Sequence, residues 1–288
     1  MAEWSIATVL KTVVLKGTVG SNPTLSDKTQ TALITGASSG IGLALAEIFA
    51  ANGYHLVLVA RTRDKLEEIA RDLKQRFGIS VKVMAHDLSA AENCQKIYDD
   101  LSRQSTRVDV LVNNAGAGTW GDFWRTDLDA EMRNMNLNMT SLVYLTKLFL
   151  KDMIKNRRGK ILNVASTAAF QPGPLMAIYY ATKAFVLSFS EAISNETRGT
   201  GVTVTALCPG PTATNFRDAA GMKKSMLFSK HLNLSAEVVA RAGYEGMKRG
   251  KVIVVPGFKN RFIIQALRLA PRSFVRNAVR KMQEARRD

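Results

Sequence analysis

The sequence predicts an α/β domain: a doubly wound parallel sheet with helices on both faces. Two observations lead there. From Thr31 onward, short apolar runs rich in β-branched residues alternate with helical patterns, and a glycine-rich turn, Thr35-Gly36-Ala37-Ser38-Ser39-Gly40-Ile41-Gly42, joins the first run to the first helix. Parallel strands need crossover connections, and right-handed crossovers carry helices to both faces. With 288 residues, 46% hydrophobic and 22% charged, the chain is long enough for one large core. No internal repeat at solenoid spacing competes with this reading.

In chain order, Met1 to Ser26 lack amphipathic periodicity and read as an appended arm over residues 1–28. Residues 29–257 form the single Rossmann-type domain. Strand one is Thr31 to Thr35, followed by a helix from Ile41 to Asn52 that Gly53 closes. His55 to Val59 is strand two, and a charged helix runs from Thr62 to Phe77. Val81 to Ala85, Val108 to Val112 and Lys160 to Val164 are further strands, separated by helices from Ala90 to Arg103 and from Leu128 to Lys155. A helix through Phe185, Leu187 and Phe189 carries Tyr179 and Lys183; strand Val202 to Leu207, helix Ala236 to Lys248 and strand Val252 to Val255 complete the set.

The chemistry begins at the glycines. Gly36, Gly40 and Gly42 permit a tight turn and close backbone approach, and the following helix N-terminus offers free N–H groups to a pyrophosphate. A dinucleotide fits, although the spacing G-x-x-x-G-x-G departs from the commoner G-x-G-x-x-G. NAD-selective folds place a carboxylate roughly 20 residues on, whereas NADP sites supply an arginine. Here Arg61 and Arg63 stand after strand two, with no carboxylate before Asp64, so NADP(H) is expected over NAD(H). Asp87-Leu88 follows strand three, where Asp87 either accepts from an adenine amino group or caps the next helix.

Tyr179 and Lys183 stand at i and i+4 on one helix face. An ammonium beside a phenol favours the phenolate, so the Tyr179 pKa is expected to fall from about 10 toward working pH.

Thr35-Gly36-x-x-x-Gly40-x-Gly42, Asn113-Asn114-Ala115-Gly116, Ser166, Tyr179-x-x-x-Lys183 and Pro209-Gly210, in this order, resemble the short-chain dehydrogenase/reductase superfamily from about Lys28 to Gly257. The resemblance implies an oxidoreductase that interconverts a carbonyl and an alcohol. It makes Tyr179 the general acid, with Lys183 binding the nicotinamide ribose and Ser166 bonding the substrate oxygen. Asn136 would hold a water in the proton relay, between the rival amides Asn134 and Asn138; Tyr180 and Thr167 are the rivals of Tyr179 and Ser166. Asn114, Ala115 and Gly116 would line the cofactor, as would Pro209, Gly210, Thr212 and Thr214. The stretch Asn215 to Leu234 would be a lid, its apolar residues suggesting an apolar substrate body. The resemblance also implies a homodimer, paired through the long helices around Leu128 to Lys155 and Tyr179 to Arg198. The alternative is a cofactor-binding regulatory protein without turnover, against which the complete Ser166, Tyr179 and Lys183 set weighs.

The formal net charge is +16. From Phe258 to Asp288, nine basic residues face two acidic ones, a net of +7, but no nucleic-acid motif accompanies them. Residues 258–288 read as a basic amphipathic extension, placed on an anionic membrane or docked on the core or a subunit. Cys94 and Cys208 lack metal spacing and argue for a reducing compartment, as do His55, His86 and His231 against a metal site. No apolar run is long enough to span a bilayer, so a cytoplasmic protein, at most peripheral to a membrane, is expected. Finally, Val19-Gly20-Ser21-Asn22-Pro23 can be encoded by GTG-GGT-TCG-AAT-CCC, which resembles a transfer-RNA T-arm. Translation is therefore expected to begin nearer Thr24 to Lys28. N-terminal peptide mapping of protein from its native source should lack Met1 to Lys16, and finding them overturns this expectation.

Overall fold

The computed structural model describes residues 30–222 and 234–284. The strands are β1 (Thr31–Thr35), β2 (His55–Ala60), β3 (Val81–Ala85), β4 (Val110–Asn113), β5 (Gly159–Val164), β6 (Val202–Leu207), β7 (Thr212–Ala213), β8 (Leu234–Ser235) and β9 (Ile253–Val254). The helices are α1 (Gly40–Ala51), α2 (Arg63–Phe77), α3 (Glu92–Arg103), α4 (Leu128–Met135), α5 (Ser141–Lys155), α6 (Ala177–Glu196), α7 (Phe216–Ala219), α8 (Ala236–Lys248), α9 (Phe258–Leu269) and α10 (Arg272–Gln283). Seven strands make one all-parallel sheet in the order β3-β2-β1-β4-β5-β6-β9, and β7 and β8 form a separate parallel pair.

Successive residues of a strand point to opposite faces, and here both faces are covered. Ala32 and Ile34 of β1 enter a core with Leu45 and Phe49 of α1, Leu66 and Leu73 of α2, and Tyr244 of α8. Leu33, between them, enters the opposite core with Ile97 and Leu101 of α3 and Leu145 and Phe149 of α5. Double burial explains why the strands read as unbroken apolar runs rather than alternating ones. The strand order reverses between β1 and β4, which opens a crevice at the carboxyl ends of those strands. The glycine turn and Asn113-Asn114 both leave from that edge.

The expected helix from Leu128 to Lys155 is continuous but not uniform. Asn136–Thr140 forms a π-helical turn between α4 and α5, the kind of local widening that re-aims side chains near functional sites. The C-terminal extension is two helices rather than one, broken at Ala270-Pro271, where proline cannot continue the preceding helix. Its inner face docks on the domain: Val275 and Val279 join Ala168, Met176, Tyr180, Ala220 and Met222 in a third core cluster. The arm over residues 1–28, Met226 to Phe228 of the expected lid, His231, Arg286, Arg287 and Asp288 lie outside the described residues.

A polar network runs through the middle of the sheet. Asn113 donates to the Thr146 hydroxyl at 3.1 Å and to Asn163 Oδ1 at 2.9 Å, and Asn163 donates to Ser190 at 2.9 Å. All four residues are buried, so the network ties β4 and β5 to α5 and α6 where no water can substitute. Asn163→Ala removes one donor and one acceptor from it. We expect roughly 1–3 kcal/mol less unfolding free energy in a denaturant titration, and an unchanged midpoint would show that the network contributes nothing.

Candidate active site

Thr35, the last residue of β1, organises the cofactor edge. Its hydroxyl donates to Val112 O at 3.2 Å and accepts from the backbone N–H groups of Asn114 and Ala115 at 2.9 and 3.0 Å. Asn114 returns its side-chain amide to the carbonyls of Thr35 and Gly36, at 2.8 and 3.2 Å. This exchange locks the turns after β1 and β4 against each other. It also leaves no space: a Cβ on Gly42 would lie 2.2 Å from Gly36 O, and one on Gly36 2.8 Å from Asn114 Nδ2. Gly36 and Gly40 take φ values of +65° and +56°, which side chains rarely adopt.

Ser38, Ser39 and half-buried Ile41 complete the turn, and Ser39 caps α1 without a side-chain hydrogen bond to the helix. The first-turn N–H groups therefore point outward without a capping acceptor, and α1 has no acidic residue in that turn. These residues fit a dinucleotide pyrophosphate.

Arg61 and Arg63 are exposed beyond β2. Arg63 pairs with Glu67 at 3.6 Å, a contact between two exposed groups of small energetic weight. Arg61 makes no ion pair with a described residue, which leaves its guanidinium available to a ligand phosphate. Asp87 does not cap α3, which begins at Glu92 with Ala91 at the cap. Instead it accepts from the Ser89 N–H and hydroxyl at 2.9 and 2.8 Å. Partial burial opposes ionisation of Asp87, but those two bonds and nearby Arg61 hold its carboxyl below the usual value. The Leu88 side chain is buried in the core, so any ligand contact there falls to its backbone.

Across the crevice, α6 presents Tyr179 and Lys183. Lys183 is buried, donates to Val164 O at 2.8 Å, and its ammonium stands 5.8 Å from the Tyr179 ring centroid. A Cβ on Gly116 would lie 3.4 Å from Lys183 Nζ, which places the end of the Asn114-Ala115-Gly116 turn beside that ammonium. Burial lowers the Lys183 pKa to about 8, opposed by the neighbouring Cys208. The expected lowering of Tyr179 is not found. Burial pushes its hydroxyl up to about 12, the Ser166 hydroxyl pulls the other way, and Tyr180 adds to the rise. Desolvation therefore exceeds any benefit from the ammonium. Tyr179 is protonated at neutral pH, the state an acid requires.

Ser166, just past β5, is held by the Ala168 N–H at 3.1 Å and donates to Pro209 O at 3.4 Å. The Pro209-Gly210 loop then folds back over the glycine turn. A Cβ on Gly40 would lie 2.9 Å from Thr214 Cγ2, whereas the Thr212 hydroxyl is spent on Gly210 O at 2.9 Å.

Asn136 is the one expected catalytic residue that the structure places elsewhere. Its side chain is exposed, with a 3.4 Å contact from Thr140. The buried amide in the site belongs to Asn138, which accepts from Ala117 N and donates to Ala117 O, both at 2.9 Å, and donates to Thr182 at 3.0 Å. Alternation of Asn134, Asn136 and Asn138 hid this choice, because the π turn rotates the helix by an extra residue that periodicity does not reveal.

Sequence reasoning placed Phe216 in a lid over the substrate but missed the rest of the roof. Phe216 packs against Tyr179 with ring centroids 5.0 Å apart. Gln283, fully buried, donates its side-chain amide to the Tyr180 hydroxyl at 2.8 Å, and its backbone carbonyl accepts from the Trp120 indole at 3.1 Å. No local signal marks a glutamine 103 residues from its partner.

Sheet order and glycine turn together define a Rossmann-type α/β domain, with Tyr179 and Lys183 side by side at its crevice. The family model for short chain dehydrogenase matches residues 30–225. The chain belongs to the short-chain dehydrogenase/reductase family. It is 33% identical to human very-long-chain 3-oxoacyl-CoA reductase over 211 residues, 72% of this chain and 66% of that protein. It is 38% identical to mouse 17-beta-hydroxysteroid dehydrogenase type 3 over 184 residues, 62% of this chain and 59% of that one. The matched stretch thus spans about three fifths to two thirds of these relatives' lengths. Among solved structures, a short-chain dehydrogenase from Sphingobium yanoikuyae in complex with NADPH matches with a TM-score of 0.76 and 32% identity, covering 90% of this chain and 99% of that one. L-sorbose reductase from Gluconobacter frateurii, complexed with NADPH and L-sorbose, matches with a TM-score of 0.69 and 28% identity, covering 80% and 96%.

The buried lysine gives the free protein a defined pH signature. Its folded-state pKa is depressed to about 8 from 10.5, so the unfolded chain binds more protons between those values and stability rises with pH there. Lys183→Met should flatten that rise in denaturant titrations between pH 8 and 10.5, and an unaltered slope would show that the ammonium is not buried as described.

Proposed function

We propose that this protein is an NADPH-preferring reductase that converts an apolar ketone or aldehyde to its alcohol, and runs in reverse when the alcohol is supplied. One observation carries the reading: Tyr179, protonated and half-buried, faces Ser166 beside Lys183, where the glycine turn and the Asn114-Ala115-Gly116 turn meet. When bound, NADPH supplies the hydride. Its pyrophosphate is assigned to the Gly36–Gly42 turn and its 2′-phosphate to Arg61, with Arg63 second to it.

As the carbonyl is reduced, negative charge gathers on its oxygen. Fixed donors aimed there stabilise the transition state more than the ground state. Ser166 holds that oxygen and Tyr179 gives it the proton. Lys183 anchors the nicotinamide ribose, and its charge lowers the barrier to proton loss from Tyr179 as the hydroxyl gives up its proton. Asn138, rather than Asn136, occupies the relay position. The roof of Met176, Phe216 and Trp120 supports an apolar substrate body, in keeping with the 3-oxoacyl and steroid relatives. Exposed Tyr144 and Phe185 on α5 and α6 support pairing of two copies through those helices.

The test follows NADPH and NADH oxidation over aliphatic, aromatic and steroid ketones. Wild type should turn over with NADPH, and Tyr179→Phe should lose roughly a hundredfold or more while still quenching on NADPH binding. A variant within a few-fold of wild type removes Tyr179 from the mechanism, and a wild-type preference for NADH removes Arg61 from the cofactor site.

A further inference from the structure

The outer face of the C-terminal helix pair is uncovered and chemically one-sided. Phe258, Phe262 and Leu269 fall at i, i+4 and i+11 of α9, within about 40° of one another around the helix. Leu269 is 90% exposed and Phe258 82%. Ile264, on the other side of α9, is buried, as are Val275 and Val279 of α10, while Phe274 faces out. Residues 258–283 contain no acidic side chain. Lys259, Arg268, Arg272, Arg276 and Lys281 make no ion pair with a described residue; Arg280 alone on this pair does, with Asp122 at 3.7 Å and Glu284 at 3.0 Å.

Asp122 leads directly into Phe123 and Trp124, both exposed, with the Arg125 guanidinium 4.2 Å from the Trp124 ring centroid. Bulky apolar side chains interleaved with unpaired cations match a surface that is apolar beneath and anionic above, which is the boundary of an acidic bilayer. A second copy would meet this face with like charge, which disfavours self-association there.

We propose that α9 and α10 dock the protein on an anionic lipid membrane and hold the mouth of the active site at the lipid surface. The second part follows from the inner side of the same helices. Gln283 of α10 bonds Tyr180, the neighbour of Tyr179, and Trp120, which rims the site. A substrate partitioned into lipid then reaches Tyr179 without crossing bulk water. Docking stands independently of the chemistry; only this delivery rests on the function proposed above.

Removing residues 258–288 would strip Val275 and Val279 from the core, so outward-facing substitutions are the discriminating change. The full chain is sedimented with vesicles of phosphatidylcholine alone and of phosphatidylcholine mixed with phosphatidylserine. Wild type should pellet with the acidic vesicles and be released by salt. Phe258→Ser, Phe262→Ser and Leu269→Ser together should abolish pelleting while the thermal melt of the protein stays unchanged. Arg268→Gln with Arg272→Gln should weaken partitioning about fivefold per charge removed. Wild type remaining in the supernatant with both vesicles overturns the proposal, as does a triple variant that pellets like wild type or one that merely dissociates a dimer. For delivery, acidic vesicles should lower the KM for a lipid-partitioning ketone in wild type and not in the triple variant. An unmoved KM with intact binding overturns delivery, while absent turnover with every ketone and intact binding overturns the reductase reading and leaves docking in place.

Discussion

Asn138 bonds the backbone of Ala117 through both halves of its amide and spends its remaining donor hydrogen on Thr182, whose hydroxyl donates in turn to the Tyr179 carbonyl at 2.8 Å. Three segments with no sequence proximity, the loop after β4, the π turn and α6, are held in register by this one side chain. The rest of the site depends on that register. Ala117 is fixed beside Gly116, whose turn adjoins Lys183, and Thr182 ties α6 to the same amide next to Tyr179. The cost of the arrangement is local: five residues leave regular α-helical geometry, and a polar side chain is buried. The penalty is offset because every donor and acceptor on the amide is used.

The same site sets function against stability. A lysine charge and a phenol are both taken out of water to place them beside the crevice, and burial opposes ionisation of each. Such groups persist where surrounding structure over-determines their position. Here the sheet supplies that support, since each central strand is buried on both faces and the Asn113–Asn163–Ser190 chain fixes its interior.

Much of this was legible in the sequence. The all-parallel sheet followed from unbroken apolar runs separated by helical patterns, because double burial removes the alternation that a solvent-facing strand shows. Gly36, Gly40 and Gly42, Asn114, Ser166, Tyr179 and Lys183 could be picked out as candidates by residue type at fixed local spacing, and the structure brings them to one crevice. What escaped has a common cause. That Asn138 rather than Asn136 is buried at the crevice goes with a π turn, which adds a residue without a compositional mark. The high Tyr179 pKa depends on burial, to which Phe216 and the Gly118 turn contribute from distant segments. The extension could be read as amphipathic, yet only the tertiary contacts of Val275, Val279 and Gln283 show which face is already taken.

Gln283 also imposes an order on the making of the molecule. In a chain synthesised from its N-terminus, every strand of the sheet and the whole Tyr179 helix leave the ribosome before α10 does. While that chain emerges, Tyr180 and Trp120 still lack their Gln283 partner, and the third core cluster still lacks Val275 and Val279. The seal over Tyr180 and Trp120 is thus made by a segment synthesised after the whole sheet, so local sequence around Tyr179 cannot supply it.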